Sequence, residues 1–228
     1  IVKDLVIMPE IEKRWVSFVR LGHTMIVFPG GVGTTEEILY ILGILVNPAN
    51  AHIPFPLIFT GPASAKSYFD LVDRFITQTL GQEIRRLYRI IIDDPEEVAR
   101  QVVRGVADVH NFRRATEDAN FFNWQLHIPL DLQQPFEATH ENMRTLNLRK
   151  GRPANLLASD LRRAFSGIVS GNVKAAGICA IAEKGPFELY GEQAILDPMD
   201  ELLAAFVEQQ RMKLPNKEYN PCYKLIAE

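Results

Sequence analysis

Short apolar runs alternate with helically spaced apolar stripes through the first half of this chain, and that alternation leaves few folds open. Met25-Ile26-Val27-Phe28, Pro56-Leu57-Ile58-Phe59-Thr60 and the stretch from Tyr88 to Ile92 are brief and rich in β-branched or aromatic residues, as buried strands are. Between them, apolar residues recur at the spacing of one helix face: Ile11, Trp15, Phe18 and Leu21; then Ile38, Leu39, Ile41, Leu42 and Leu45; then Tyr68, Leu71, Val72, Phe75 and Ile76. Gly22 can close the first helix, Asn47-Pro48 stops the second, Gly61-Pro62 ends a strand, and Pro95 to Val106 supplies a last helix. An apolar run, Leu5-Val6-Ile7-Met8, precedes all of these and ends at Pro9, a good first helical residue. Strands alternating with amphipathic helices predict βαβ units, hence an α/β, Rossmann-like parallel sheet with flanking helices. Ligands in such sheets bind where the chain leaves the carboxyl ends of the strands.

The pattern changes after about Asp108. Residues 109–153 are rich in Asn, Gln, Pro and aromatics with weak periodicity, so they read as irregular wrapping segments and short helices. Leu157, Leu161, Phe165 and Ile168 predict a long helix from Asn155 to Ser170, and Leu202, Leu203, Phe206 and Val207 another from about Met199 to Met212. Lys174 to Leu189 reads as one or two strands. The expectation is a Rossmann-like nucleotide-binding and catalytic domain over 1–108, with a mainly helical extension over 109–228 packed on it.

Composition excludes several classes. A hydrophobic share of 47% and a charged share of 23% are ordinary for a globular chain, and no apolar stretch approaches membrane-spanning length. The net charge of −3 argues against a surface for nucleic-acid polymers, and the pairs Arg85-Arg86, Arg113-Arg114 and Arg162-Arg163 read as solvated helix faces. Cys179 and Cys222 are too few and too far apart for a disulfide framework or a zinc ligand set, which suits a reducing, cytoplasmic setting. The histidines at 23, 52, 110, 127 and 140 show no metal-ligand spacing, so neither a metal nor another cofactor is expected. No secretory leader is visible after Ile1, and the sequence reads as a piece of something longer.

The chemistry concentrates at Pro29-Gly30-Gly31-Val32-Gly33-Thr34-Thr35-Glu36-Glu37, which sits between a strand and a helix. A glycine turn opening a helix aims backbone N–H groups and the positive helix end at one spot, which suits a phosphate. The two carboxylates are expected in the helix's first turn, beside the rest of a nucleotide. A dinucleotide fingerprint wants glycine where Glu36 stands, and a phosphate loop wants a lysine after Gly33, so neither NAD nor ATP is favoured. Thr34-x-x-Glu37 also has the form of a capping box, which would leave Glu37 a purely structural role. Arg14 likewise has a structural alternative in an ion pair with Glu10, worth only about 0.3–0.5 kcal/mol at that spacing.

Pro-Gly-Gly-x-Gly-Thr-x-x-Glu, complete from Pro29 to Glu37, resembles the signature of the Lonely Guy family of nucleotide 5'-monophosphate phosphoribohydrolases, which often carry a lysine decarboxylase label. An arginine on the preceding helix belongs to that pattern, and the residue fifteen positions before Pro29 is Arg14. Tyr68-Phe69-Asp70 and Asp94-Pro95-Glu96-Glu97 extend the similarity over roughly 1–108. Beyond it, Ser159-Asp160-Leu161-Arg162-Arg163-Ala164-Phe165-Ser166-Gly167 and Met212-Lys213-Leu214-Pro215 are similar to the C-terminal extension of the larger bacterial pyrimidine/purine nucleotide 5'-monophosphate nucleosidases. That likeness implies further strands of the sheet N-terminal to this sequence. Plant-type members carry Arg-Lys where this chain has Arg14-Trp15, and differ again at Tyr40, Gly43 and Ile44, so a cytokinin preference is not implied.

The resemblance implies hydrolysis of the N-glycosidic bond of nucleoside 5'-monophosphates such as AMP, GMP, IMP, CMP and UMP, in a homodimer or homotetramer without membrane or nucleic-acid partners. Gly30, Gly31, Gly33 and Thr34 would hold the phosphate, Glu36 the ribose hydroxyls, and Glu37 the water and the cationic sugar. Arg14 would clamp substrate or fix Glu37, since a guanidinium does not give up its proton near neutrality. No lysine stands in a pyridoxal phosphate context, so decarboxylation is not expected. The competing expectation is a nucleotide-binding or sensor protein without catalysis.

Overall fold

The computed structural model describes residues 5–119, 121–212 and 220–227. Its first part is strictly alternating. Helix α1 (Ile11–Leu21) leads to strand β1 (Met25–Val27), α2 (Val32–Leu45), β2 (Leu57–Gly61), α3 (Lys66–Leu80), β3 (Arg89–Ile92) and α4 (Pro95–Ala115), with short 3-10 turns before and after α3. The strands form a parallel three-stranded sheet in the order β1-β2-β3, with Met25 opposite Leu57 and Ile58 opposite Arg89. The α/β expectation with its parallel sheet is borne out.

Each helix obeys local chemistry. Gly22 ends α1 by returning its N–H to the Phe18 carbonyl, and Asp94 caps α4 by accepting from the Glu97 N–H, with Pro95 in the first turn. The apolar stripe of α1 is rotated from the one predicted. Trp15 and Val19 are buried together with Glu12, whereas Phe18 and Leu21 face outward. β1 is likewise not the buried strand expected: among the described residues it lies at the sheet edge, with Ile26, and Phe28 just after it, exposed. Leu5, Val6 and Ile7 are exposed and lie outside any strand.

The remainder is mainly helical. Short helices α5 (Leu130–Gln133) and α6 (His140–Arg144) interrupt an irregular stretch, followed by α7 (Ala154–Val173), α8 (Ala175–Lys184), β4 (Phe187–Gly191), α9 (Gln193–Glu208) and β5 (Tyr223–Ala227). Four elements depart from expectation. α4 continues to Ala115 because Val109 and Arg113, one turn apart, are both buried. The segment after Lys174, read as strands, forms α8, an alanine-rich helix whose tight start brings Gly177 against the Ser170 peptide, where a Cβ would lie 2.3 Å from the carbonyl oxygen. α9 starts earlier and ends sooner than predicted, at Glu208 rather than Met212. Strand β5, unread in the sequence, exists by pairing in parallel with β4. The Met212–Pro215 stretch lies mostly outside the described residues.

α2 joins the two parts. It is apolar around most of its circumference, with Ile38, Leu39, Tyr40, Leu42 and Ile44 almost fully buried, as a helix must be when it is covered on both sides. α7 packs along it, and one continuous core runs from Trp15 and Phe59 through Phe75 and Phe165 to Phe206. Among the described residues no single helix is long and apolar enough to cross a membrane; the bent pair α7 and α8 passes by length and composition together, but most of α7 is buried in this core.

Candidate active site

The turns after β1 and β2 meet at the carboxyl end of the sheet, where a Cβ on Gly61 would lie 3.1 Å from the Pro29 ring. From there the chain passes Gly30 and Gly31 and enters α2 at Val32. Gly31 is the N-cap and makes no side-chain cap bond, so the first N–H groups of α2 have no side chain to satisfy them. They border a cavity of about 330 Å³ lined by Gly31, Gly33, Thr34, Glu37, Asn172 and Arg211, among others. Uncapped donors at the positive end of a 14-residue helix are chemically suited to an anion.

The three glycines have separate causes. The Thr34 side chain folds over Gly30, where a Cβ would lie 1.9 Å from its Oγ1. Gly31 lies beneath the backbone of Arg211, whose carbonyl oxygen would meet a Cβ there at the same distance. At Gly33 a Cβ would meet nothing within 4 Å. The turn is therefore roofed by protein on its Gly31 side and open on its Gly33 side.

Because α2 begins at Val32, Thr34 is its third residue and not its N-cap, and Glu36 and Glu37 fall in the second turn, not the first. The capping-box alternative for Glu37 thereby fails. Glu37 borders the anion cavity on one side and, on the other, a cavity of about 350 Å³ walled by Trp15, Phe18 and Tyr40. Partial desolvation raises its carboxyl pKa, while a hydrogen bond from the Trp15 side chain and the charge of Arg14 oppose the rise. Arg14 is exposed on α1, and Glu10 pairs with Lys13 at 2.7 Å rather than with it. The charge of Arg14 is thus felt at Glu37 across two successive helices.

Glu36 does not join them. It turns away from both cavities and is only 3% exposed, because the α2 face it occupies is covered by α7. There the fully buried Arg162 lies 3.0 Å from Glu12 on α1 and 3.8 Å from Glu36, with its guanidinium 5.8 Å from the Trp15 ring centre. The expected ribose contact is corrected to an interior role, and the solvated face expected for Arg162 to a buried ion network. Arg113 is also buried, between His23 and Asn123. Sequence reasoning missed Glu12, Trp15 as a partner of Glu37, Asn172 and Arg211. The last two lie far along the chain and carry no local motif.

A Rossmann-like parallel sheet whose first loop opens a helix through a glycine turn, with a carboxylate beside it, is the setting in which the comparisons fall. The family described as "Possible lysine decarboxylase" matches residues 1–102, and that described as "Pyrimidine/purine nucleotide monophosphate nucleosidase, C-terminal" matches residues 106–226. The chain belongs to the pyrimidine/purine nucleotide monophosphate nucleosidase family, as the resemblance of its motifs implied. It is 55% identical over 227 residues to the "Pyrimidine/purine nucleotide 5'-monophosphate nucleosidase" of Escherichia coli K12, and equally to that of Escherichia coli O157:H7. These alignments cover all of this chain and 50% of each relative, so the chain spans half the length of the curated relatives it matches.

Proposed function

We propose that the protein hydrolyses the N-glycosidic bond of nucleoside 5'-monophosphates, giving free base and ribose 5-phosphate. One observation carries this reading: Glu37 stands beside the uncapped start of α2 with Arg14 in electrostatic reach. A 5'-phosphate at that helix start places the ribose over Glu37. The transition state carries oxocarbenium charge on the sugar, which a carboxylate opposite the anomeric carbon stabilises while it orients the attacking water. Desolvation raises the Glu37 pKa, which suits a general base, while the Trp15 hydrogen bond and the charge of Arg14 oppose the rise. The Gly33 and Thr34 backbone and the Thr34 hydroxyl supply phosphate donors, with Gly30 and Gly31 shaping the bend.

Purine and pyrimidine monophosphates (AMP, GMP, IMP, CMP, UMP) are the proposed substrates, a match to the relatives' names. A catalytic part over 1–108, a homodimer or homotetramer, and a cytoplasmic setting complete the reading. Release of free base from AMP and CMP by the full-length protein tests it. Glu37→Gln, nearly isosteric, is expected to lose roughly two to four orders of magnitude in turnover. Normal turnover in that variant would remove Glu37 from the chemistry. Tight binding of AMP by the unaltered protein without base release would favour a nucleotide sensor.

A further inference from the structure

Arg211 comes from the far end of the chain and lies against the glycine turn. α9 ends at Glu208, and Gln210 takes a left-handed conformation with φ of 53°, which lets the Arg211 N–H return to the Phe206 carbonyl at 2.7 Å. That reversal drops the Arg211 peptide onto Gly31. Its guanidinium stacks 4.8 Å from the ring centre of Tyr68, at the start of α3, and Nη1 reaches the Gly30 carbonyl at 3.4 Å. Nε donates to the Gln209 side chain at 3.1 Å. Among the described residues no carboxylate pairs with it. A guanidinium held by a ring face and two neutral oxygens, at the rim of a cavity whose other wall is the start of α2, keeps its charge for an anion.

Two further features lie beside the same turn. Gly33 leaves space that no atom of the described residues fills. The Tyr68 hydroxyl, on a side chain only 1% exposed, approaches the Gly30 backbone and the Thr35 side chain but completes a normal hydrogen bond with neither. A buried hydroxyl without a partner costs on the order of 1–3 kcal/mol, which a small shift of the turn on binding would relieve.

We propose that Arg211 is a phosphate-binding residue: its guanidinium closes the site opposite the α2 helix start and grips the phosphomonoester of the substrate. This deepens the proposed function, on which it rests for the identity of the substrate. The helix start supplies a partial charge, whereas a phosphate monoester near neutral pH carries close to two, so a full cation at the rim supplies what the backbone lacks. The contribution is to binding in both ground and transition states, since the phosphate does not react.

The test compares Arg211→Met, which keeps the stem over Tyr68 but not the charge, with Arg211→Lys, in the full-length protein. KM for AMP is expected to rise roughly 10- to 100-fold in Arg211→Met with kcat changed by less than about threefold, and to rise less in Arg211→Lys. The affinity for ribose 5-phosphate, measured by calorimetry, is expected to fall by the same factor as KM rises. Melting temperature measured without ligand identifies a misfolded variant, in which case Arg211→Lys carries the comparison. Unchanged ribose 5-phosphate affinity in a folded variant overturns the assignment while leaving hydrolysis standing. Loss of kcat with KM unchanged overturns it too, as a strut for the turn would behave that way. Arg211-dependent binding of ribose 5-phosphate by a protein that cleaves no nucleotide would keep the assignment and remove the hydrolase. No binding of ribose 5-phosphate by the unaltered protein removes both.

Discussion

Glu36 and Glu37 are adjacent in sequence and meet opposite surroundings. One points to the cavity side of α2; the other is driven under α7, where Glu12 already neutralises Arg162 at the shorter distance and a second carboxylate is surplus charge in a dry layer. Desolvation therefore pushes the Glu36 pKa up to about 7, against the opposing pull of Ser166, Arg162 and Lys174. The sign follows: the folded protein holds a proton that the unfolded chain has released, so stability falls as pH rises from about 4.5 to beyond 7. The full effect is on the order of 3 kcal/mol. Glu36→Gln should flatten this dependence, with its melting-temperature gain over the parent protein growing between pH 5 and 8. Parallel profiles for the two proteins would show that Glu36 does not titrate in that range. The motif identified both carboxylates, but only packing separates their roles, because neighbouring residues on a helix point about 100° apart.

Gly43 faces α7 where α2 crosses it. A Cβ there would sit 3.5 Å from the Ala158 Cβ and 3.7 Å from the Leu132 Cδ1, ordinary contact for one methyl group and no space for more. Gly43→Ala should therefore raise stability by up to about 1 kcal/mol through helix propensity. Gly43→Val should lower it by about 1–3 kcal/mol through overpacking. Urea unfolding distinguishes these; a destabilised alanine variant would mean that the helices approach more closely than this. The first-half elements were legible because each carries its own stripe and stop signal, as α2 does between Gly31 and Pro48. β5 and the true phase of α1 were not. A strand of five residues exists by pairing, and the buried side of α1 is set by Arg162 receiving Glu12, a contact 150 residues apart in sequence.

One core holds the two parts of the chain together, so the extension is structural support for the site as well as a source of Arg211 and Asn172. Truncation after Ala115 would bare the α7-facing side of α2 and the Glu12–Glu36 carboxylates without their arginine. The shortened chain is expected to lack a cooperative thermal transition and to self-associate in sedimentation, whereas a monomer with a sharp transition would show that the extension is dispensable for folding. By itself the sequence determined the class of sheet, the glycine turn that opens α2 and the family, and it pointed to Glu37 and Arg14 as the proposed site. Each rests on local spacing, and local spacing is what periodicity, glycine and capping chemistry express. Only the tertiary structure decided which carboxylate reaches the cavity, which arginines are buried and that Arg211 lies over the turn. Those depend on which surfaces exclude water from one another, and contacts between distant segments leave no periodic trace in the chain.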